Sequence, residues 1–236
     1  MDAAEGRDYH TLSVIVPVFN ERNTVAEILR RMRRVDLPVD LEVVVVDDAS
    51  SDGTDKVLDT LEDSTVRVVR HPVNRGKGAA VRTGLGYVRG DLVLVQDADL
   101  EYDPEDWPRL LAPILKGKAR VVYGSRFTGE RKNMLFLHWV GNRFLSLVTN
   151  VLYNTTLSDM ETCYKLFDRR VLDGMTLRAD RFDFEPEVTA KVLRRGIRIY
   201  EVPISYVGRE FDEGKKITWR DGIVALWTLV KYRVVA

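Results

Sequence analysis

Hydrophobic and polar positions follow two alternating periods along the first half of the chain. Residues 12–19 (LSVIVPVF) and 41–46 (LEVVVV) are short, apolar and rich in β-branched side chains, the pattern of strands buried on both faces. Between them, Val25, Ile28, Leu29 and Met32 fall on one face of a helix over 23–34. The alternation continues with a helix at 52–61 opened by an Asp-Gly-Thr turn, a strand at 66–69, a helix at 76–88 and a strand at 92–95. A helix at 104–115, with proline in its first turn, and a strand at 120–123 complete the series. Five strands separated by helices, in units of about 25–30 residues, predict an α/β fold: a Rossmann-like, mostly parallel sheet with helices on both faces.

Beyond Gly129 the regularity changes. Residues 134–154 predict one long helix with Leu137, Val140, Phe144, Leu147, Val148, Val151 and Leu152 on its apolar side. His138, Asn142, Ser146, Thr149, Asn150 and Tyr153 form the opposite, polar stripe. Strands are expected at 164–167, 197–202 and 204–207, and helices at 185–194 and 218–232. With no repeat, low-complexity tract or Pro/Gly/Ser linker, the expected organisation is a flexible tail (1–10), one α/β domain (11–216) and a C-terminal amphipathic helix (217–236).

Composition narrows the function classes. Thirty-six basic residues balance thirty-six acidic ones, which argues against a general polyanion binder, so no nucleic-acid partner is expected. The single cysteine, Cys163, excludes an internal disulfide framework and suits a reducing compartment. His10, His71 and His138 have no metal-ligand spacing. The first ten residues are polar and mixed in charge, unlike a signal peptide, and no apolar stretch reaches the roughly 18–20 residues that span a bilayer. The expectation is a protein made inside the cell, cytoplasmic or peripheral on the cytoplasmic face of a membrane.

In an open α/β sheet, ligands bind beyond the carboxyl ends of the strands, so the polar residues there carry the chemistry. They are Asn20-Glu21, Asp47-Asp48, Asn74-Arg75-Gly76-Lys77-Gly78, Asp97-Ala98-Asp99-Leu100-Glu101 and Gly124-Ser125-Arg126. Alternate residues of an extended segment point the same way, so Asp97, Asp99 and Glu101 can converge. Their hard oxygens suit Mg²⁺ or Mn²⁺, although acids ahead of a helix N-terminus are also favoured by its dipole. Asp48 is placed to accept from a base or a ribose, while Asp52 reads as a turn residue. Gly76, Lys77 and Gly78 precede a helix and would let a phosphate approach. There is neither a P-loop nor a G-x-G-x-x-G, which argues against a dinucleotide-binding enzyme. Arg30, Arg31, Arg33 and Arg34 read as a solvated helix face.

Four of these segments occur in a recognisable order. Val16-Pro17-Val18-Phe19-Asn20-Glu21, Asp47-Asp48-x-Ser-x-Asp-Gly-Thr, Asn74-Arg-Gly-Lys-Gly and Asp97-x-Asp99 together resemble family 2 glycosyltransferases, which have the GT-A fold and use nucleotide sugars. Gly124-Ser125-Arg126-Phe127 and Arg209…Gly214-Lys215-Lys216-Ile217 look like the polyprenyl-phosphate (dolichyl-phosphate) mannose and glucose synthase branch. The resemblance implies transfer of a hexose from a UDP- or GDP-sugar to a polyprenyl monophosphate, with inversion and with Mg²⁺ or Mn²⁺. Pro17, Phe19, Glu21, Asp48, Lys77, Asp97, Ala98 and Asp99 would bind the nucleotide sugar, and Asp99 with Glu101 the metal. Glu101 stands where mannose synthases carry glutamine. Asp97, Asp99 and Arg126 would be catalytic, and Arg126, Arg209 and one of Lys215 or Lys216 would meet the acceptor phosphate. Ser158-Asp159-Met-Glu161-Thr-Cys163-Tyr-Lys165 occupies the place of the branch's acceptor-site loop.

An isoprenoid acceptor implies a membrane surface. The apolar side of the 134–154 helix and the uncharged run 222–230, with Trp219 and Trp227, are the expected interfacial elements. Packing against a second copy or a membrane-anchoring partner is the alternative use of these faces. Two further readings keep the same sequence: a family 2 enzyme with a soluble sugar or glycan acceptor, using Asp159 or Glu185 as base, and a non-catalytic nucleotide-sugar-binding scaffold.

Overall fold

The computed structural model describes residues 8–132, 134–208 and 219–235. The expected order holds through the first half: β1 (Thr11–Val18), α1 (Val25–Met32), β2 (Asp40–Asp47), α2 (Thr54–Asp59), β3 (Val66–Arg70), α3 (Lys77–Leu85), β4 (Leu92–Val95), α4 (Trp107–Leu115) and β5 (Val121–Ser125). Then come α5 (Phe136–Tyr153), β6 (Lys165–Asp168), α6 (Phe184–Arg194), β7 (Tyr200–Pro203) and α7 (Trp219–Val234).

The seven strands lie in the order β3-β2-β1-β4-β6-β5-β7. β1 pairs in parallel with β2, from Thr11↔Asp40 to Val18↔Asp47, and with β4, from Leu12↔Leu92 to Ile15↔Val95. This register brings the ends of β1, β2 and β4 to one edge of the sheet. Right-handed crossovers then put α1 and α2 on one face and α3 on the other. Central strands covered on both sides need apolar residues at every position, and Val14, Ile15, Val16, Val44, Val45 and Val46 are fully buried. α3 approaches β1 so closely that a Cβ on Gly84 would meet Ile15 Cγ2 at 2.5 Å.

In the second half β6 lies between β4 and β5 and is antiparallel to both, pairing Val93↔Phe167 and Val121↔Phe167. One expectation is corrected there. A strand over 204–207 does not form. β7 ends at Pro203, and Tyr206 makes only an isolated bridge to Arg131 beside the segment that follows β5. Tyr9 and His10, at the end of the expected tail, are tied to Asp168 and Asp91.

α5 is turned against the usual amphipathic rule. Its polar stripe faces inward, with Ser146 and Thr149 buried, while Leu137 is 80% and Val151 75% exposed. A small cluster of Leu145, Met160, Ala225 and Leu229 joins α5 to α7. Among the described residues, no helix is long and apolar enough to cross a membrane.

Candidate active site

The loops after β1 and β2 are laced together. Ser51 N donates to Asn20 Oδ1 at 2.8 Å, Asn20 N to Ser50 Oγ at 2.9 Å, Glu21 N to Thr54 Oγ1 at 3.0 Å and Arg22 N to Asp52 Oδ2 at 3.1 Å. The polar residues of the Asp-Asp-x-Ser-x-Asp-Gly-Thr run therefore brace one loop against the other, with Asp52 in the turn role expected of it. Glu21 is buried and accepts from Thr24 Oγ1 at 2.7 Å beside the start of α1, while Pro17 and Phe19 are half-buried. Asn20, Ala49 and Leu100 all have left-handed backbone, at φ 55°, 60° and 65°. Such conformations in residues other than glycine cluster where a site is held under strain. Here they mark the ends of β1, β2 and β4.

Asp48 is fully buried, and its carboxylate clamps the loop after β3. It accepts from Arg75 N at 2.8 Å, Gly76 N at 2.7 Å and His71 Nδ1 at 2.6 Å. His71 Nε2 in turn meets Thr83 Oγ1 at 2.8 Å. The two glycines do not open a phosphate approach, which corrects the sequence reading. A Cβ on Gly76 would lie 2.4 Å from Asp180 O, and one on Gly78 2.5 Å from Ala179 O. Ala79 N also donates to Asp180 O at 3.0 Å, so the chain at 179–181 covers the start of α3.

Lys77 points into the site. Its Nζ lies 2.9 Å from Asp97 Oδ1 and 2.9 Å from Glu185 Oε1, bridging the end of β4 to the start of α6. Burial opposes this charge, but Asp97, with Cys163 and Glu185, holds the ammonium above the usual lysine range. Ala98 is buried beside it. Asp99 Oδ1 accepts from Glu101 N at 3.1 Å, and Glu101 Oε2 accepts from Tyr206 O–H at 2.8 Å. Among the described residues no three histidine, cysteine, aspartate or glutamate side chains gather as a metal cage. The Asp99 and Glu101 pair still fits Mg²⁺ or Mn²⁺, which take one or two carboxylates and complete their shell with water and phosphate oxygens.

The end of β5 carries a buried ion pair. Arg126 Nε and Nη2 each lie 2.8 Å from an oxygen of Asp159, and Nη2 also donates to Asn142 Oδ1 on α5 at 3.2 Å. The guanidinium lies over the Tyr206 ring at 5.3 Å. Two of its three nitrogens are thus engaged within the protein. The loop that carries Asp159 hangs from α5 and β7. Asn150 pairs with both the N–H and the carbonyl of Leu157, Ser146 Oγ accepts from Met160 N at 3.1 Å, and Glu201 accepts from Ser158 N and Asp159 N. Burial pushes the Glu201 carboxyl up from its ordinary value. Arg209, Lys215 and Lys216 lie outside the described residues. His71, Glu201 and Tyr206 were not singled out by the sequence, since the partners that give them meaning are 23, 42 and 105 residues away.

The structure thus gathers Glu21, Asp48, Lys77, Asp97, Asp99, Glu101 and Arg126 at the carboxyl edge of the sheet. Comparison with known proteins identifies the family and the fold. The family model described as "Glycosyl transferase family 2" matches residues 13–175. The undecaprenyl-phosphate mannosyltransferase of Micrococcus luteus is 34% identical over 85% of this chain and 85% of its own length. The undecaprenyl-phosphate 4-deoxy-4-formamido-L-arabinose transferase of Enterobacter sp. (strain 638) is 31% identical over 87% of this chain. A low-salt glycan biosynthesis hexosyltransferase of Haloferax volcanii is 32% identical over 95% of it. The chain spans 62% and 53% of the latter two proteins. Among solved structures, glucosyl-3-phosphoglycerate synthase from Mycobacterium tuberculosis, in complex with Mn²⁺, UDP and glucosyl-3-phosphoglycerate, superposes with a TM-score of 0.73 at 23% identity. That match covers 96% of this chain and 81% of the synthase. It establishes the GT-A fold expected from the sequence.

Proposed function

Because the chain belongs to glycosyltransferase family 2, we propose that it is an inverting, metal-dependent hexosyltransferase that passes a sugar from a UDP- or GDP-linked donor to a polyprenyl monophosphate. The observation that carries this reading is the division of the site. An acidic donor side, Asp97 and Asp99 with Lys77, stands at the end of β4, and a cationic side, Arg126, stands at the end of β5. The named activities of the Micrococcus and Enterobacter relatives support the choice of acceptor.

In this reading Pro17, Phe19, Glu21 and Asp48 border the nucleotide, and Asp97, Ala98 and Asp99 hold the nucleotide sugar. Lys77 keeps Asp97 and Glu185 in place, and Glu185 is positioned to accept from a sugar hydroxyl. Asp99 and Glu101 would hold Mg²⁺ or Mn²⁺, which supplies Lewis-acid stabilisation of a departing diphosphate. A phosphate monoester is already anionic near neutral pH, so its oxygen attacks without a strong base. What it requires is cationic help in approaching a second anion. Arg126, fixed by Asp159, offers its remaining guanidinium edge for this, and Arg209 with Lys215 or Lys216 would complete the clamp.

Membrane contact follows from the acceptor. α5 has no acidic residue, and α7 has Asp221 alone against Arg220, Lys231 and Arg233. Their outer faces, with Trp219 and Trp227 73% and 65% exposed, form an apolar surface with a basic rim, suited to the interface of an anionic bilayer. In this reading the enzyme is peripheral, and we assign it to the cytoplasmic face, where nucleotide sugars are made.

The test is transfer of radiolabel from a panel of UDP- and GDP-hexoses to polyprenyl phosphate in detergent with Mg²⁺ or Mn²⁺. A labelled product that extracts into organic solvent and disappears on adding EDTA is expected. Label appearing only on soluble sugars or glycans would replace the lipid acceptor. Asp99→Ala is expected to lower turnover by at least about 100-fold, the scale of losing a preorganised charge-stabilising group, with an unchanged circular dichroism spectrum.

A further inference from the structure

Between the donor and acceptor sides lies a titratable group that the mechanism above does not use. Glu161 stands on the loop held by α5, and its Oε1 is buried with no hydrogen-bond partner among the described residues. The groups that face it are Glu185 from α6, Lys165 from β6, Arg126 from the end of β5 and Asp159 from its own loop. With Lys77 and Asp97, this neighbourhood holds four acids (Asp97, Asp159, Glu161, Glu185) and three cations (Lys77, Arg126, Lys165). Each cation is already committed. Arg126 forms a two-pronged pair with Asp159, and Lys77 bridges Asp97 and Glu185. Lys165 Nζ donates to the carbonyls of Met160 and Thr162 and lies 4.4 Å above the Tyr123 ring. Among the described residues, Glu161 is left as the one acid of the four without a cation in contact. Lys77 lies against Glu185 and not against Glu161, and a second buried carboxylate nearby disfavours the charged form of Glu161.

We propose that Glu161 is held as the neutral acid at the junction of the two sides and donates a hydrogen bond to the anionic acceptor, making it a specificity-determining residue for a phosphate monoester. The proposal rests on the function given above. Its logic is electrostatic: a cleft that must admit a diphosphate and a phosphate gains a donor from Glu161 without a further negative charge. Burial, followed by the charge of Glu185, pushes the Glu161 carboxyl up to about 8. Burial also draws Lys165 down to about 8.

The pH dependence follows with a definite sign. The acceptor completes its second ionisation near about pH 6, so above pH 7.5 the protonation of Glu161 governs its binding. The KM for polyprenyl phosphate is expected to rise roughly fivefold between pH 8 and 9, as the neutral fraction of the acid falls from about one half to about one tenth. The KM for the donor should change much less. Glu161→Gln, neutral at every pH, should abolish the rise, whereas a rise equal to that of the wild type would overturn the assignment. A second readout is independent of turnover. In protein labelled with ¹³C at glutamate carboxyls, one resonance should titrate near pH 8 and be missing from Glu161→Gln. If no glutamate titrates above pH 7, the proposal fails even where the transfer assay succeeds. If transfer to the lipid fails while that resonance titrates, the function is wrong and the neutral acid stands.

Discussion

Helices α1 and α5 are both amphipathic, yet they are turned in opposite directions. α1 buries Val25, Ile28, Leu29 and Met32 and sends Glu27, Arg30 and Arg31 outward, where they pair with one another. α5 buries Ser146 and Thr149 and directs Asn142 and Asn150 to partners within the protein, while Phe136, Leu137, Leu147 and Val151 face out. The first arrangement is what water dictates. The second is stable because its inner polar groups are consumed: Asn142 by Arg126, Ser146 by Met160 N, Asn150 by Leu157 and Thr149 by the carbonyl of Leu145. A polar interior costs little once every group has a partner. The same helix therefore anchors the loop of Asp159 and Glu161 on one side and presents an apolar surface on the other. α1 serves the core, whereas α5 serves the acceptor side.

Substitutions on the two helices break this contrast in graded steps. The largest loss is expected from Asp159→Ala, which strips Arg126 of its buried partner beneath α5. Breaking such a pair costs about 3–5 kcal/mol, read as a fall in melting temperature of roughly 2–4 °C per kcal/mol. Ile28→Ala on α1 should cost about 2–4 kcal/mol in a denaturant titration, because a fully buried side chain leaves a cavity. Asn150→Leu on α5 should cost about 1–3 kcal/mol, since Leu157 N is left without its acceptor. That loss departs from the usual rule, in which apolar substitutions inside a helix interface are harmless. Smallest of all is Leu137→Asp with Val151→Asp, on the outer face of α5. Melting should shift by no more than about 0.5 kcal/mol for each exposed change, and a cooperative loss of stability would mean that this face is buried by a second copy.

Much of the first half was legible in the sequence for a simple physical reason. β1, β2 and β4 are covered on both sides, so each appears as an unbroken apolar run, and their polar neighbours must fall at the strand ends where Asp48, Asp97 and Asp99 are found. What was not legible depends on pairing across long stretches of chain. β6 reads as a strand, but nothing local specifies that Phe167 pairs with both Val93 and Val121 or that the direction is reversed. Gly76 and Gly78 read as a phosphate approach because their contacts, the backbone at 179–181, lie about a hundred residues on. The polar stripe of α5 and the outward turn of its apolar side were expected, but the partners of that stripe, Arg126 and the loop at 157–160, were not.

The claim that joins these observations is that α5 and α7 bring the acceptor side to a lipid surface. It is tested most directly by comparing two acceptors in one enzyme: polyprenyl phosphate embedded in anionic vesicles, and a short-chain, water-soluble prenyl phosphate. Wild-type protein should use both. Leu137→Asp with Val151→Asp should lose most of its transfer to the vesicle-bound acceptor and keep its rate with the soluble one. Equal rates with both acceptors in the variant and the wild type would contradict the account.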